Sequence, residues 1–202
     1  MSKKGVFYTS FFVLLAVAFY FILVKIIPGY DKKGVAPISF VRPFSFTNQD
    51  GQKVTEKDVA GKVYVAEYFF TTCKTVCPIM NNYMKLVYEK FKGEDGFLIL
   101  SHTCDPDNDS VPQMKKYADS LGVNTKRWMF LTGRKDSLYN MARVSYTIDD
   151  PNENLLNLED DFMHSQLWAL VDKNGDVRKI YDGIKESEVR ELIADAEKLL
   201  RN

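Results

Sequence analysis

The hydrophobic and polar positions of this chain divide into an apolar opening stretch and a longer tract of alternating short periodicities. From Gly5 to Val24 no residue carries a charge, and Phe, Val, Leu, Ala, Tyr and Ile fill nearly every place. The stretch is apolar all round rather than along one stripe. At helical rise its length matches the hydrocarbon layer of a bilayer, which predicts a membrane-spanning helix. Lys25 is followed by Ile26, Ile27, Pro28 and Gly29 with no small-residue cleavage pattern, so residues 1–27 read as a retained anchor rather than a signal peptide. A polar, Gly- and Pro-punctuated tether follows over 28–39, and a folded domain is expected over 40–202.

Within that domain the periods alternate. Phe44–Thr47 and Lys53–Thr55 flank Asn48-Gln49-Asp50-Gly51, a hairpin signal. Residues 62–70 (KVYVAEYFF) are β-branched and aromatic without alternation, as in a strand buried on both faces. Ile79, Tyr83, Leu86, Val87 and Phe91 then recur at helical spacing over 78–91, and 97–101 (FLILS) reads as a second buried strand. A helix over 111–121 is bracketed by Ser110 and Gly122, and a strand over 128–131 precedes a helix over 136–144. Strands over 166–171 and 177–181 flank a second turn signal, and 186–200 is a closing amphipathic helix. Strands alternating with helices, then a hairpin and a last helix, predict an α/β fold with a mixed central sheet flanked by helices.

Charge changes the picture in two ways. Lysine plus arginine equal aspartate plus glutamate at 27 each, which disfavours a nucleic-acid binder relying on bulk positive charge. Leaving out the anchor's Lys3, Lys4 and Lys25 leaves 24 basic residues against 27 acidic ones, a mildly acidic domain. Lysines flank the apolar stretch on both sides, so charge bias barely sets its orientation. The expected arrangement is a bacterial cell membrane, single-pass, with the domain outside the cytoplasm, because the cysteine chemistry favours that side.

The candidate chemistry lies in Cys73-Lys74-Thr75-Val76-Cys77-Pro78, where a buried strand gives way to a helix. The carboxyl ends of strands in an open α/β sheet are where reactive groups collect. Spacing of four brings the sulfurs over one turn, so they can meet as a disulfide or share a metal. Free N–H groups at the helix start stabilise a thiolate, and Lys74 adds a positive charge. The plainer alternative is an inert local disulfide. His164 stands just before the strand at 166–171; if that strand runs antiparallel to 62–70, its start abuts the cysteine turn and an imidazole completes an S, S, N set. Two thiolates and an imidazole suit copper better than magnesium, calcium or manganese. Asp161 and Asp105 are open oxygen donors. His102 and Cys104 follow the strand at 97–101; the expectation is a solvated His102 and a packed Cys104, with Cys104 as an alternative partner for the other sulfurs.

Four ordered motifs resemble the Sco/SenC family of thioredoxin-fold, membrane-tethered copper chaperones. They are Phe70-Thr71-Thr72-Cys73 through Cys77-Pro78; Thr103-Cys104-Asp105-Pro106-Asp107-Asn108-Asp109; Phe130-Leu131-Thr132-Gly133; and Met163-His164-Ser165 leading to Leu170-Val171-Asp172-Lys173-Asn174-Gly175. The resemblance implies a thioredoxin-like fold with an N-terminal β-hairpin. It implies that Cys73 and Cys77 are the copper-binding, redox-active pair, with His164 as third ligand. The implied partners are the dinuclear copper site of cytochrome c oxidase subunit II, to which copper is delivered or whose cysteines are reduced, and a thiol reductant of thioredoxin type. Lys74 and Thr75 stand where such families have proline and an acidic residue, and Cys104 where they have valine. A thiol–disulfide oxidoreductase without metal delivery is the competing class, and a peroxidase ranks behind it for want of a peroxide-specific signature.

Overall fold

The computed structural model describes residues 3–26, 36–149 and 165–201. The chain separates into two compact units, Met1–Ala36 and Pro37–Asn202. The first holds helix α1 (Lys3–Ile26), with one stretch, Lys4–Leu23, long and apolar enough to cross a membrane. From Val6 to Ile22 its aliphatic and aromatic side chains are exposed, as those of a lipid-facing helix would be.

The second unit is built on one eight-stranded sheet. Its strands are β1 (Ser39–Phe40), β2 (Ser45–Asn48), β3 (Lys53–Thr55), β4 (Val63–Phe69), β5 (Phe97–Thr103), β6 (Trp128–Thr132), β7 (Leu167–Val171) and β8 (Asp176–Asp182). They lie in the order β1-β8-β7-β4-β5-β6-β2-β3. The helices are α2 (Glu56–Val59), α3 (Val76–Phe91), α4 (Val111–Leu121), α5 (Lys135–Asn140), continued by a π-helical turn over Met141–Tyr146, and α6 (Glu186–Arg201). Strands β4, β5 and β6 are mutually parallel, while β7 runs antiparallel to β4 with Ala66 opposite Ala169. The mixed sheet agrees with the sequence pattern, and the antiparallel pairing of β7 with β4 meets the condition on which His164 was brought toward the cysteine turn.

All seven residues of β4 and all seven of β5 are buried, because helices cover both faces. Val63, Val65, Phe69, Phe97 and Ile99 pack under α3, α4 and α6. Tyr64, Ala66, Tyr68, Leu98, Leu100 and Cys104 pack with residues of α2, α5 and the π-helical turn on the other face. Alternation along β4 and β5 therefore assigns each side chain to a face, which later separates the three cysteines.

The structure corrects the sequence reading at several places. Helix α3 starts at Val76, and its buried positions are Cys77, Met80, Met84, Val87, Tyr88 and Phe91, whereas Ile79 and Leu86 are 48% and 51% exposed. Strand β5 continues to Thr103, which carries His102 into the sheet with no exposure at all; it is not a solvated loop residue. The helix expected over 136–144 divides into α5 and the π-helical turn, and β1 and α2 are additional. Gly133 is fixed by a close approach, since a Cβ there would stand 2.8 Å from Cδ1 of Phe46. Gly183 is fixed more tightly, with its would-be Cβ 2.3 Å from Cε2 of Trp168.

Candidate metal and redox site

Strand β4 ends at Phe69, and a turn closed by the Cys73 amide on the Phe70 carbonyl (3.2 Å) delivers the chain into α3. Cys73 is half-buried on this turn and Cys77 is buried in the first turn of α3. The spacing of four then does what the sequence suggested: the Cys77 amide donates to Sγ of Cys73 at 3.4 Å, and Oγ1 of Thr75 lies 3.9 Å from the same sulfur. All three cysteines carry free thiols.

The two sulfurs are electrostatically unlike. Burial pushes the Cys73 pKa up, but hydrogen bonds from the Cys77 thiol and amide, joined by Thr75, outweigh it and hold Cys73 below the ordinary thiol value. Burial also dominates at Cys77 and raises its pKa strongly, helped by its donation to Cys73 and by the negative charges of Cys73 and Glu67. The Cys77 thiol, backbone amides and the Thr75 hydroxyl account for the Cys73 shift; Lys74, exposed on the turn, is not among its causes. The turn thus holds one reactive, partly accessible sulfur above one buried, proton-bearing sulfur.

His164, the expected third ligand, lies outside the described residues, as does Asp161. The described chain resumes at Ser165, whose Oγ donates to the Ile148 carbonyl at 2.6 Å. Strand β7 begins two residues later and runs antiparallel to β4, so it starts at the edge where β4 ends. Among the described residues, no group of three His, Cys, Asp or Glu side chains converges as a metal cage. The carboxylate of Asp105 accepts from Nδ2 of Asn108 at 2.9 and 3.1 Å.

Cys104 is packed, as expected for a small hydrophobe, and its Sγ donates to the Phe69 carbonyl at 3.3 Å. It faces the core opposite to the one that holds Cys77. His102 is stacked on Tyr68 at 5.1 Å, with Phe46 and Tyr146 edge-on at 5.5 and 5.4 Å. Burial lowers its pKa to about 4, against weaker support for the charged ring from the backbone of Glu67 and Leu100.

Two further polar groups were missed. Glu67, 1% exposed in the middle of β4, accepts from Oγ of Ser101 at 2.6 Å, and Ser101 accepts in turn from Nε1 of Trp128 at 2.8 Å. Burial raises the Glu67 pKa to about 7, only partly offset by the Ser101 hydroxyl. A lone carboxylate within an otherwise apolar strand was the available signal. Asp109, fully buried, binds Thr71, two residues before Cys73; its presence in a family-like motif did not disclose that role.

A family model described as SCO1/SenC matches residues 33–201. The chain belongs to the SCO1/SenC family. This SCO1/SenC chain is 34% identical over 164 residues to the SCO1 protein homolog of Bacillus subtilis, covering 79% of itself and 82% of that protein. Among solved structures it is similar to BsSco, described as a member of the Sco family of cytochrome c oxidase assembly proteins with a disulfide switch. That match has TM-score 0.69 and 30% identity, over 84% of this chain and 98% of the other. It is also similar to ScoI of Arabidopsis thaliana with copper bound, with TM-score 0.62 and 25% identity, over 81% of this chain and 99% of that one. The fold is thioredoxin-like, as the resemblance implied.

Proposed function

We propose that this SCO1/SenC protein is a membrane-tethered copper-binding chaperone whose ligands are Cys73, Cys77 and His164. It serves the dinuclear copper site of cytochrome c oxidase subunit II, handing over copper or reducing that site's cysteines. On this reading α1 is the anchor and the domain 40–202 lies outside the cytoplasm of a bacterial cell, joined by a tether over 28–39. The observation that carries the proposal is the convergence of the Cys77 amide and thiol on Sγ of Cys73 at the carboxyl edge of the sheet. The fit is chemical. Two adjacent sulfurs, one held below the ordinary thiol pKa, are soft donors on a partly open turn, and copper is the first-row metal that most rewards such donors. Copper-bound ScoI of Arabidopsis thaliana supports the choice of metal. Copper would be cargo, passed on by ligand exchange. The partly exposed Cys73 is placed to meet an incoming ligand, while the buried Cys77 keeps its hold.

The thiol asymmetry also favours a second reading, as a reductase kept active by a thioredoxin-type dithiol. The Cys73 thiolate attacks a partner disulfide, and the first partner sulfur leaves and takes a proton. Cys77 then loses its proton and attacks the Cys73 sulfur, releasing the second partner thiol. The partner gains two electrons, and Cys73–Cys77 becomes the disulfide.

His164→Ala separates the two. On the chaperone reading it loses tight copper(II) binding, titrated against a competing chelator, while its Cys73–Cys77 disulfide still forms and is still reduced. Unchanged copper affinity in that variant overturns the three-ligand reading and leaves the reductase.

A further inference from the structure

We propose that Asp109 is a positioning residue that locks the cysteine turn to the end of β5, acting through Thr71; this rests on the reading of Cys73 and Cys77 as the ligand pair. Asp109 sits between β5 and α4 with no solvent exposure. Its carboxylate accepts the Thr71 amide at 3.2 Å to each oxygen, the Thr71 hydroxyl at 2.5 Å and the Thr103 hydroxyl at 2.5 Å. No lysine or arginine pairs with it among the described residues. A carboxylate this deep is tolerated only where several donors converge on it, so the four donor contacts are the condition of its burial.

What those contacts join is specific. Thr71 opens the turn whose Cys73 amide closes on Phe70, and Thr103 ends β5, the parallel neighbour of β4. Asp109 is itself held from below, its amide donating to the Asp105 carbonyl at 2.9 Å, while the Asp105 amide donates to Oγ1 of Thr103 at 2.9 Å. From α4, Nε2 of Gln113 donates to Oγ1 of Thr71 at 3.3 Å. The Cys73 turn is thereby fastened to two neighbouring elements, two residues from the sulfur that must meet its partners within about 0.5 Å of the productive place. Asp109 touches neither sulfur. Its effect on them passes through the backbone of Thr71 and Thr72.

The test uses the full chain in detergent, reduced, with copper(I) competition against a chelator and amide hydrogen exchange as separate readouts. Asp109→Asn presents an NH2 group where two donors already point and cannot accept both. Thr71→Val keeps shape and amide but deletes the hydroxyl, at a half-buried position on the turn. Both are expected to weaken copper(I) binding by about tenfold or more. Asp109→Asn also speeds exchange of the Thr71 amide relative to that of Leu100. Thr71→Ser restores binding to within about threefold of the parent. Val54→Ala, a destabilising change in the edge strand β3 within the core opposite to that of Cys77, leaves affinity alone. The proposal is overturned if Asp109→Asn and Thr71→Val bind copper as the parent does, or if Val54→Ala weakens binding as much. If the parent binds copper no better than Cys73→Ser, the copper reading fails by itself. The exchange result then decides the clamp: Thr71 protected in the parent and released by Asp109→Asn upholds it, and equal exchange refutes it.

Discussion

Replacing Glu67 by glutamine removes the one carboxyl group of β4 while keeping an oxygen for the Ser101 hydroxyl. Glu67 titrates near pH 7 when folded, against 4.5 for a free glutamate side chain. A folded pKa raised above the unfolded one means the stabilising contribution is complete below about pH 4.5 and is lost as pH rises through about 7. At about 1.4 kcal/mol per pH unit, that gap amounts to about 3 kcal/mol. The stability of the parent minus that of Glu67→Gln is therefore expected to fall by about 3 kcal/mol between pH 4 and pH 8, because every other titration is common to both chains. Guanidinium unfolding under reducing conditions reads this out through tryptophan fluorescence. Trp128 and Trp168 are the two tryptophans of the sequence, and both are fully buried in the core that contains Cys77. A difference flat to within about 1 kcal/mol, or one rising with pH, would refute the claim that burial keeps this carboxyl protonated.

His102 has the opposite sign. Its folded pKa of about 4 lies below the ordinary 6.5, so parent stability relative to His102→Phe should drop by up to about 3 kcal/mol as pH falls from about 6.5 to 4, measured by the same unfolding assay. Gly183→Ala forces a methyl onto the Trp168 indole and should destabilise the fold by about 1–3 kcal/mol, seen as an earlier unfolding midpoint. With the protein reduced at neutral pH, iodoacetamide should label Cys73 well before Cys77 or Cys104. Peptide mass mapping checks the order, and first labelling at Cys77 would contradict the thiol assignment.

Much of this architecture was legible because the chain writes it locally. The unbroken apolar run through β4 and the Asn-Gln-Asp-Gly turn need no distant partner to be read, and Gly51 takes the expected positive φ of 76°. The cysteine turn was legible for the same reason, since four-residue spacing fixes its geometry within one turn of helix. The errors arose where burial is decided from afar. Ser101-His102-Thr103 looks like the start of a loop, and only Phe46, Tyr68 and Tyr146, far away along the chain, turn His102 into a core residue. On α3 the apolar count favoured Ile79 and Leu86, but the sheet takes the face carrying Met80 and Met84. The π-helical turn leaves no periodicity of its own. Asp109 reads as one acid in an acidic loop until the ends of two strands are seen to point their donors at it.

The placement of Cys104 on the far side of β4 and β5 from Cys77 bears on how the molecule matures. A newly made chain that meets an oxidant offers three sulfurs and three ways to join two of them. Once the strands have zipped together, a partition one backbone thick withdraws Cys104 from exchange, with its thiol anchored to the Phe69 carbonyl. Errors in pairing are then confined to the interval before the sheet closes, and the race between sheet closure and the first oxidant decides whether a wrong crosslink is trapped.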